Sequence, residues 1–241
     1  MFKIAKAIIA VLITAIITSS SIITNANAAK PKIQIAWSIY VGWMPWDYAD
    51  ASGILKKWGD RYNVDLVLLS KMDYIPSVEA YVAGNVDACV MTNMEALDMP
   101  CAGGIKSTAL IIGDYSNGND AVLVRDNLTA RTIKGNMVYL VEASVSHYLL
   151  SRFLDMNNLR EREVKIQNTS DSEIAPVFIS NSGCKVCVTW NPLVMEILKT
   201  PGITKIFDSS DIPGEILDLL MIRSDVLAAH PEAGKAIVGA W

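Results

Sequence analysis

The chain predicts a two-lobed α/β protein, with a hinge between the lobes and a ligand cleft where they face each other. Three observations carry this. Short apolar runs with strand character alternate with stretches of helical spacing. The alternation runs through twice, separated by a polar, turn-rich stretch at 114–120 (DYSNGND). An extended segment follows each series, at 121–124 and at 217–222, as two crossings between lobes require. Alternation of this kind implies parallel sheets covered by helices. Two crossings imply a hinge, with the cleft at the strand C-terminal ends.

The first lobe is expected over 29–120. Its strands read as 32–37 (KIQIAW), 64–69 (VDLVLL), 88–92 (ACVMT) and 107–113. Helices are expected over 48–62, 75–83 and 94–100. Leu55, Trp58 and Tyr62 lie three and four apart, which puts them on one buried helical face. The second lobe, 121–216, begins with the first crossing. Its strands read as 137–141 (MVYLV), 164–168 (VKIQN), 186–190 (VCVTW) and 205–207, with helices over 145–156, 173–179 and 192–199. Thr92-x-x-Glu95 and Ser170-x-x-Glu173 are capping-box signatures. Residues 217–241 carry the return crossing and the start of a C-terminal part of the first lobe. From Ser224 a new helical segment begins and stops in mid-pattern at Trp241, so the sequence reads as truncated.

Composition narrows the function classes. Of 241 residues, 51% are hydrophobic and 19% charged, which excludes a disordered tail or a collagen-like fibre. A net charge of -4 argues against nucleic-acid binding, which favours a basic face. Lys3 and Lys6, an apolar run from Ala7 to Ile17 and the ending Ala26-Asn27-Ala28 form a secretory signal peptide over 1–28. The apolar run is too short to span a bilayer. No cysteine lies near the cleavage site to anchor a lipid. The expected mature product is exported, and nothing in it reads as a transmembrane helix.

Export permits disulfides among Cys89, Cys101, Cys184 and Cys187. The pair Cys184-x-x-Cys187 runs into a strand pattern, whereas a redox pair sits at a helix N-terminus that lowers the thiol pKa. His147 and His230 supply a zinc site poorly. A local disulfide or free thiols fit better than a redox or metal role, and no metal or cofactor is expected.

Loops at the strand C-termini should line the cleft. They supply Trp43 and Trp46 in the turn Tyr40-Val41-Gly42-Trp43-Met44-Pro45-Trp46-Asp47, then Tyr74, and Asn93 beside Thr92. The hinge supplies Asn119 and Asp120. The second lobe supplies Glu142, Ser144, Trp190, Asn191 and Glu215. These groups are aromatic, amide and carboxylate, with no lysine or arginine. Anions prefer cationic donors or free helix N-termini. Tryptophan faces attract cations, and carboxylates accept paired N–H donors. Each residue also has a plainer role. The tryptophans could pack the core, Asp47 and Ser144 could cap helices, Glu95 could complete its capping box, and His147 could be a packed, hydrogen-bonded histidine. Glu142 resists such a reading. It ends an apolar strand, where an unpaired carboxylate is costly.

Catalytic signatures are missing. The sequence has no G-x-S-x-G, H-E-x-x-H, P-loop or complete dinucleotide fingerprint, and no base–nucleophile pairing. No catalytic residue is therefore assigned.

The strings GWMPWDYADASGILKKWGDRYNVD, MTNMEAL, DYSNGND, VEASVSHYLL, VTWNP and FDSSDIPGEILDL resemble the periplasmic substrate-binding proteins of ABC importers, nitrate/sulfonate/taurine class. Within it they most resemble the urea-carboxylase-associated branch. The resemblance implies a type II periplasmic-binding-protein fold and a monomer that delivers its small solute to a permease and ATPase at the inner membrane. It further implies urea or guanidine as ligand, and the residue types favour guanidinium. In sulfonate-type relatives the loop matching Glu142-Ala143-Ser144 reads Lys-Gly-Ser, so a carboxylate there reverses the charge preference. The segment 182–187 is not a pattern of that family. Two other readings compete: a pyrimidine-synthase-like enzyme of thiamine biosynthesis on the same fold, and a solute-sensing subunit.

Overall fold

The computed structural model describes residues 29–241, so the signal peptide expected over 1–28 lies outside the described residues. Two five-stranded sheets follow one plan. The first is built from β1 (Lys32–Ala36), β2 (Asp65–Leu68), β3 (Ala88–Thr92), β4 (Ser107–Tyr115) and β10 (Leu217–Arg223), in the order β2-β1-β3-β10-β4. The second is built from β5 (Asp120–Arg125), β6 (Met137–Leu140), β7 (Lys165–Asn168), β8 (Val186–Trp190) and β9 (Ile203–Asp208), in the order β7-β6-β8-β5-β9. In each, three parallel strands are followed by an antiparallel strand that has arrived from the other sheet. The predicted α/β architecture with two lobes is the observed one.

The central strands explain their own composition. Every residue of β3, β5 and β8 is buried, as in strands covered on both faces, and all three read as nearly continuous apolar runs. The chain leaves the first sheet after Tyr115 and returns to it at Leu217. The Ser116 N–H donates to the Ile216 carbonyl at 2.9 Å, which ties the two crossings together.

Three helical expectations change. The helix expected over 48–62 is two, Met44–Ala51 and Ile54–Tyr62, because Gly53 at φ 77° takes a left-handed conformation between them. Of the face expected to be buried, Leu55 is buried, whereas Trp58 and Tyr62 are half-exposed and stack at 6.2 Å. The helix expected over 94–100 shortens to Asn93–Ala96, followed by a wider π-type turn, Leu97–Cys101, that accommodates Pro100.

The segment after β10 forms two helices, Ser224–Ala229 and Pro231–Ala240. The second lies against Ile54–Tyr62 so closely that a Cβ on Gly239 would sit 2.4 Å from the Trp58 ring. Beyond it Trp241 stacks on Trp46 at 5.1 Å. All four thiols are free, with Cys101 exposed and the others buried. Burial pushes Cys89 up to about 12 and Cys187 higher still, which makes both inert at neutral pH.

Candidate ligand site

The two lobes meet around a small cavity of about 10 Å³, room for about one water molecule. Four aromatic rings wall it. Tyr40, Trp43 and Tyr74 come from the first lobe, and Trp190, the last residue of β8, from the second. The rings meet in series: Tyr40–Trp43 at 5.2 Å, Trp43–Tyr74 at 5.2 Å and Tyr74–Trp190 at 5.6 Å. The Trp190 indole N–H donates across the cleft to the Ile39 carbonyl at 2.9 Å, which fixes that ring.

Carboxylates complete the lining. Asp120 opens β5 and Asp218 lies at the start of β10, 2% and 3% exposed respectively. Each stands where a crossing enters its new sheet. Asp114 on β4 is paired in register with Asp218. Ser116 Oγ donates to Asp120 and lies 2.7 Å from Ser209 Oγ, which accepts the Gly118 N–H at 2.8 Å. In contrast Asp218 Oδ2, Asp114 Oδ1, Tyr40 OH and Trp43 Nε1 are buried without a hydrogen-bond partner.

No lysine or arginine is among the lining residues. The consequence is electrostatic. Burial pushes Asp120 up to about 7, with the Ser116 bond pulling the other way. Burial, then the neighbouring Asp114 carboxyl, push Asp218 up to about 10. Burial and the charges of Asp218, Asp120 and Asp114 hold the Tyr40 phenol far above its ordinary range. Buried carboxyls this close to one another stay neutral or require a cation. Among the described residues, no group of three or more His, Cys, Asp or Glu side chains could hold a metal ion.

Local backbone makes room for the cluster. A Cβ on Gly42 would sit 2.3 Å from Asp114 Oδ2 and 2.7 Å from the Tyr40 ring, so this turn needs glycine for close approach. Further contacts hold the lobes together. The Tyr74 N–H donates to Asp171 Oδ1 at 3.0 Å, Ser172 Oγ to Asp73 Oδ2 at 3.0 Å, and the Val41 N–H to the Asn191 carbonyl at 3.2 Å.

Of the residues singled out from sequence, the structure brings Trp43, Tyr74, Asp120 and Trp190 together around the cavity. The others lie elsewhere. Ser144 caps the helix Val145–Met156, accepting from the Ser146 N–H at 3.1 Å and donating to the Val141 carbonyl at 2.7 Å. Trp46 is buried beneath Trp241. Asn93 clamps the return crossing, donating to the Glu215 carbonyl at 3.0 Å and accepting from the Leu217 N–H at 2.9 Å. Asn119 and Asn191 pair with each other, side chain to side chain at 3.1 Å.

Glu215 is held by Arg152, at 2.8 and 3.0 Å, and by the Tyr148 hydroxyl. The Arg152 bond comes first in holding its carboxyl below the usual range. Glu142 is exposed, because β6 ends at Leu140 and the chain has left the buried sheet before reaching it. Asp47 lies exposed in the first turn of its helix, and Trp43 takes the N-cap place instead. His147 is hydrogen-bonded, accepting the Ala143 N–H at 3.3 Å with Glu161 at 3.2 Å.

Asp218 and Asp114 are the residues that sequence reasoning passed over. Their signal is the one applied to Glu142: a lone acid within an apolar strand, here in LDLLMI and IIGD.

No family model matches the sequence, and no curated protein matches it. Solved structures do match. The chain is similar to the periplasmic aliphatic sulphonate binding protein SsuA from Escherichia coli, with a TM-score of 0.72 and 16% identity over 87% of this chain and 71% of that one. It is similar to the alkanesulfonate-binding protein SsuA from Xanthomonas axonopodis pv. citri bound to MOPS, with a TM-score of 0.74 and 16% identity over 88% and 73%. It is also similar to the periplasmic nitrate-binding protein NrtA from Synechocystis PCC 6803, with a TM-score of 0.69 and 10% identity over 88% and 60%. The fold is therefore that of the periplasmic binding proteins.

Proposed function

We propose that this chain is an extracytoplasmic solute-binding protein that closes on a small nitrogen-rich cation of guanidinium type and delivers it to the permease and ATPase of an importer. One observation carries the reading: an aromatic box shared by both lobes holds two buried carboxyls, backed by a third, with no cationic side chain to neutralise them. The similar structures are named for sulfonate, alkanesulfonate and nitrate binding, all anions. The lining here has the opposite chemistry. A planar cation stacks on the tryptophan and tyrosine faces and donates paired N–H groups to carboxylates.

Capture follows by population shift. Asp218 belongs to the first-lobe sheet and Asp120 to the second, so a cation between them binds the closed arrangement better than the open one. The cavity holds about one water molecule, so a planar cation enters only if the lobes part slightly around it. The lining pairs no nucleophile with a base, which favours binding over catalysis.

Calorimetric titration with guanidinium, urea, taurine and nitrate tests the reading. Saturable binding of guanidinium with little response to the anions is expected. Binding of taurine or nitrate in preference to guanidinium would overturn it.

A further inference from the structure

We infer that Glu95 is the protein's own anion: its carboxylate fills the seat at the start of the second-lobe helix Val145–Met156, closing that seat to ligand anions and leaving the cleft to a cation. This rests on the reading of the cleft as a cation site, and deepens it by naming what sets the sign of the ligand.

Glu95 belongs to the first lobe and is fully buried, yet it bonds across the cleft. Its Oε1 accepts the N–H of Val145, the first residue of the twelve-residue helix, at 2.6 Å. Its Oε2 accepts from the Tyr74 hydroxyl at 2.5 Å and from Thr92 Oγ1. Each hydroxyl can turn its hydrogen to Glu95, since a backbone N–H approaches its oxygen from another side. The Thr92 N–H already donates into the Tyr74 oxygen at 2.8 Å, and the Met94 N–H into Thr92 Oγ1 at 3.2 Å. Every partner of Glu95 is thus a donor, the pattern of an ionised carboxylate. Burial leaves its pKa raised overall, against the Thr92, Tyr74 and backbone bonds that pull it down, so the ionised form is read from the donor geometry.

A helix start presents free N–H groups and partial positive charge, which makes it a seat for anions. Here nothing is left to offer. Ser144 Oγ takes the Ser146 N–H, and Glu95 takes that of Val145. Tyr74, Thr92 and Val145 all line the cavity, so the occupied seat lies directly behind its wall. The Thr92-x-x-Glu95 capping box would have spent this carboxylate on the Thr92 N–H. The Tyr74 hydroxyl takes that N–H instead, which frees Glu95 to reach the other lobe.

The test is substitution with chemical rescue. Glu95→Ala removes the atoms that acetate carries, so acetate at tens of millimolar should re-occupy the seat. Guanidinium affinity of Glu95→Ala is expected to fall at least tenfold and to recover with acetate but not with its neutral analogue acetamide. Acetate should also raise the melting temperature of Glu95→Ala while leaving wild type and Glu95→Gln, whose seats are filled, unmoved. A Glu95→Ala chain that folds only in acetate supports the assignment equally. Acetate acting no more strongly on Glu95→Ala than on wild type, folded or not, overturns it. If wild type ignores guanidinium while Glu95→Ala still answers to acetate, the cation reading fails and the seat stands.

Discussion

Raising the pH from 6 to 9 puts the carboxylate cluster under direct examination. Burial moves Asp120 from 3.8 to about 7, and burial with the neighbouring Asp114 moves Asp218 from 3.8 to about 10. Between 3.8 and those values the folded chain holds protons that the unfolded chain has released. Their contribution to stability is therefore complete below about pH 4 and is lost as the pH rises through the folded values. A cation in the cavity reverses the preference, because it favours the ionised carboxylates and must expel their protons to bind. Each expelled proton makes binding roughly tenfold tighter per pH unit. From pH 7 to 9 Asp218 keeps its proton while Asp120 loses the half it still holds at 7, so guanidinium should bind at least about 100-fold tighter at the upper end. Below pH 7 the proton on Asp120 adds to the slope. Calorimetry in buffers of different ionisation enthalpy gives both the dissociation constant and the protons released. A dissociation constant flat across this range, with no proton release, would refute the electrostatic account. Urea, being neutral, should show no such tightening.

Further outcomes follow from the same geometry. Asp218→Asn should weaken guanidinium by about 3 kcal/mol, or about 100-fold, as loss of one partner of a buried charge pair does, while Glu142→Gln on the exposed turn stays within about twofold by calorimetry. Gly42→Ala should cost about 1–3 kcal/mol in a thermal melt and weaken binding, because its methyl group meets the Asp114 carboxylate and the Tyr40 ring. In the native protein a thiol reagent should react quickly at Cys101 alone among the four cysteines, and at all four in denaturant; fast native reaction at Cys184 or Cys187 would contradict their burial.

The sheets were legible because the signal that specifies them is local. VCVTW and ACVMT are buried on both faces, so they are apolar throughout and stand out from their polar flanks. The break at Ser52-Gly53 was not legible, since the helical spacing of apolar residues continues across it. The site was half legible. Trp43, Tyr74 and Trp190 lie in or beside loops at strand ends, where the fold class says to look. Asp218 and Asp114 face each other only because β10 inserts beside β4, a pairing 104 residues apart in sequence that no local pattern announces. Glu142 illustrates the opposite error. An unpaired buried carboxylate is costly, but β6 ends at Leu140, one residue before its apolar run does, and Glu142 lies beyond the sheet.

The interleaving of the two crossings also orders the assembly of the molecule. The second sheet is one continuous stretch of chain, from Asp120 to Asp208, and can complete itself as soon as that stretch is available. The first cannot. Its β3 and β4 are separated by the place that β10 takes, and β10 begins only at Leu217. Until then both strands present unpaired edges, the condition under which chains pair wrongly with one another. In a chain emerging from its N-terminus, the lobe begun first is therefore finished last. The strand that closes its sheet is also the strand that brings in Asp218, so one of the two carboxyls lining the pocket arrives only when that sheet closes.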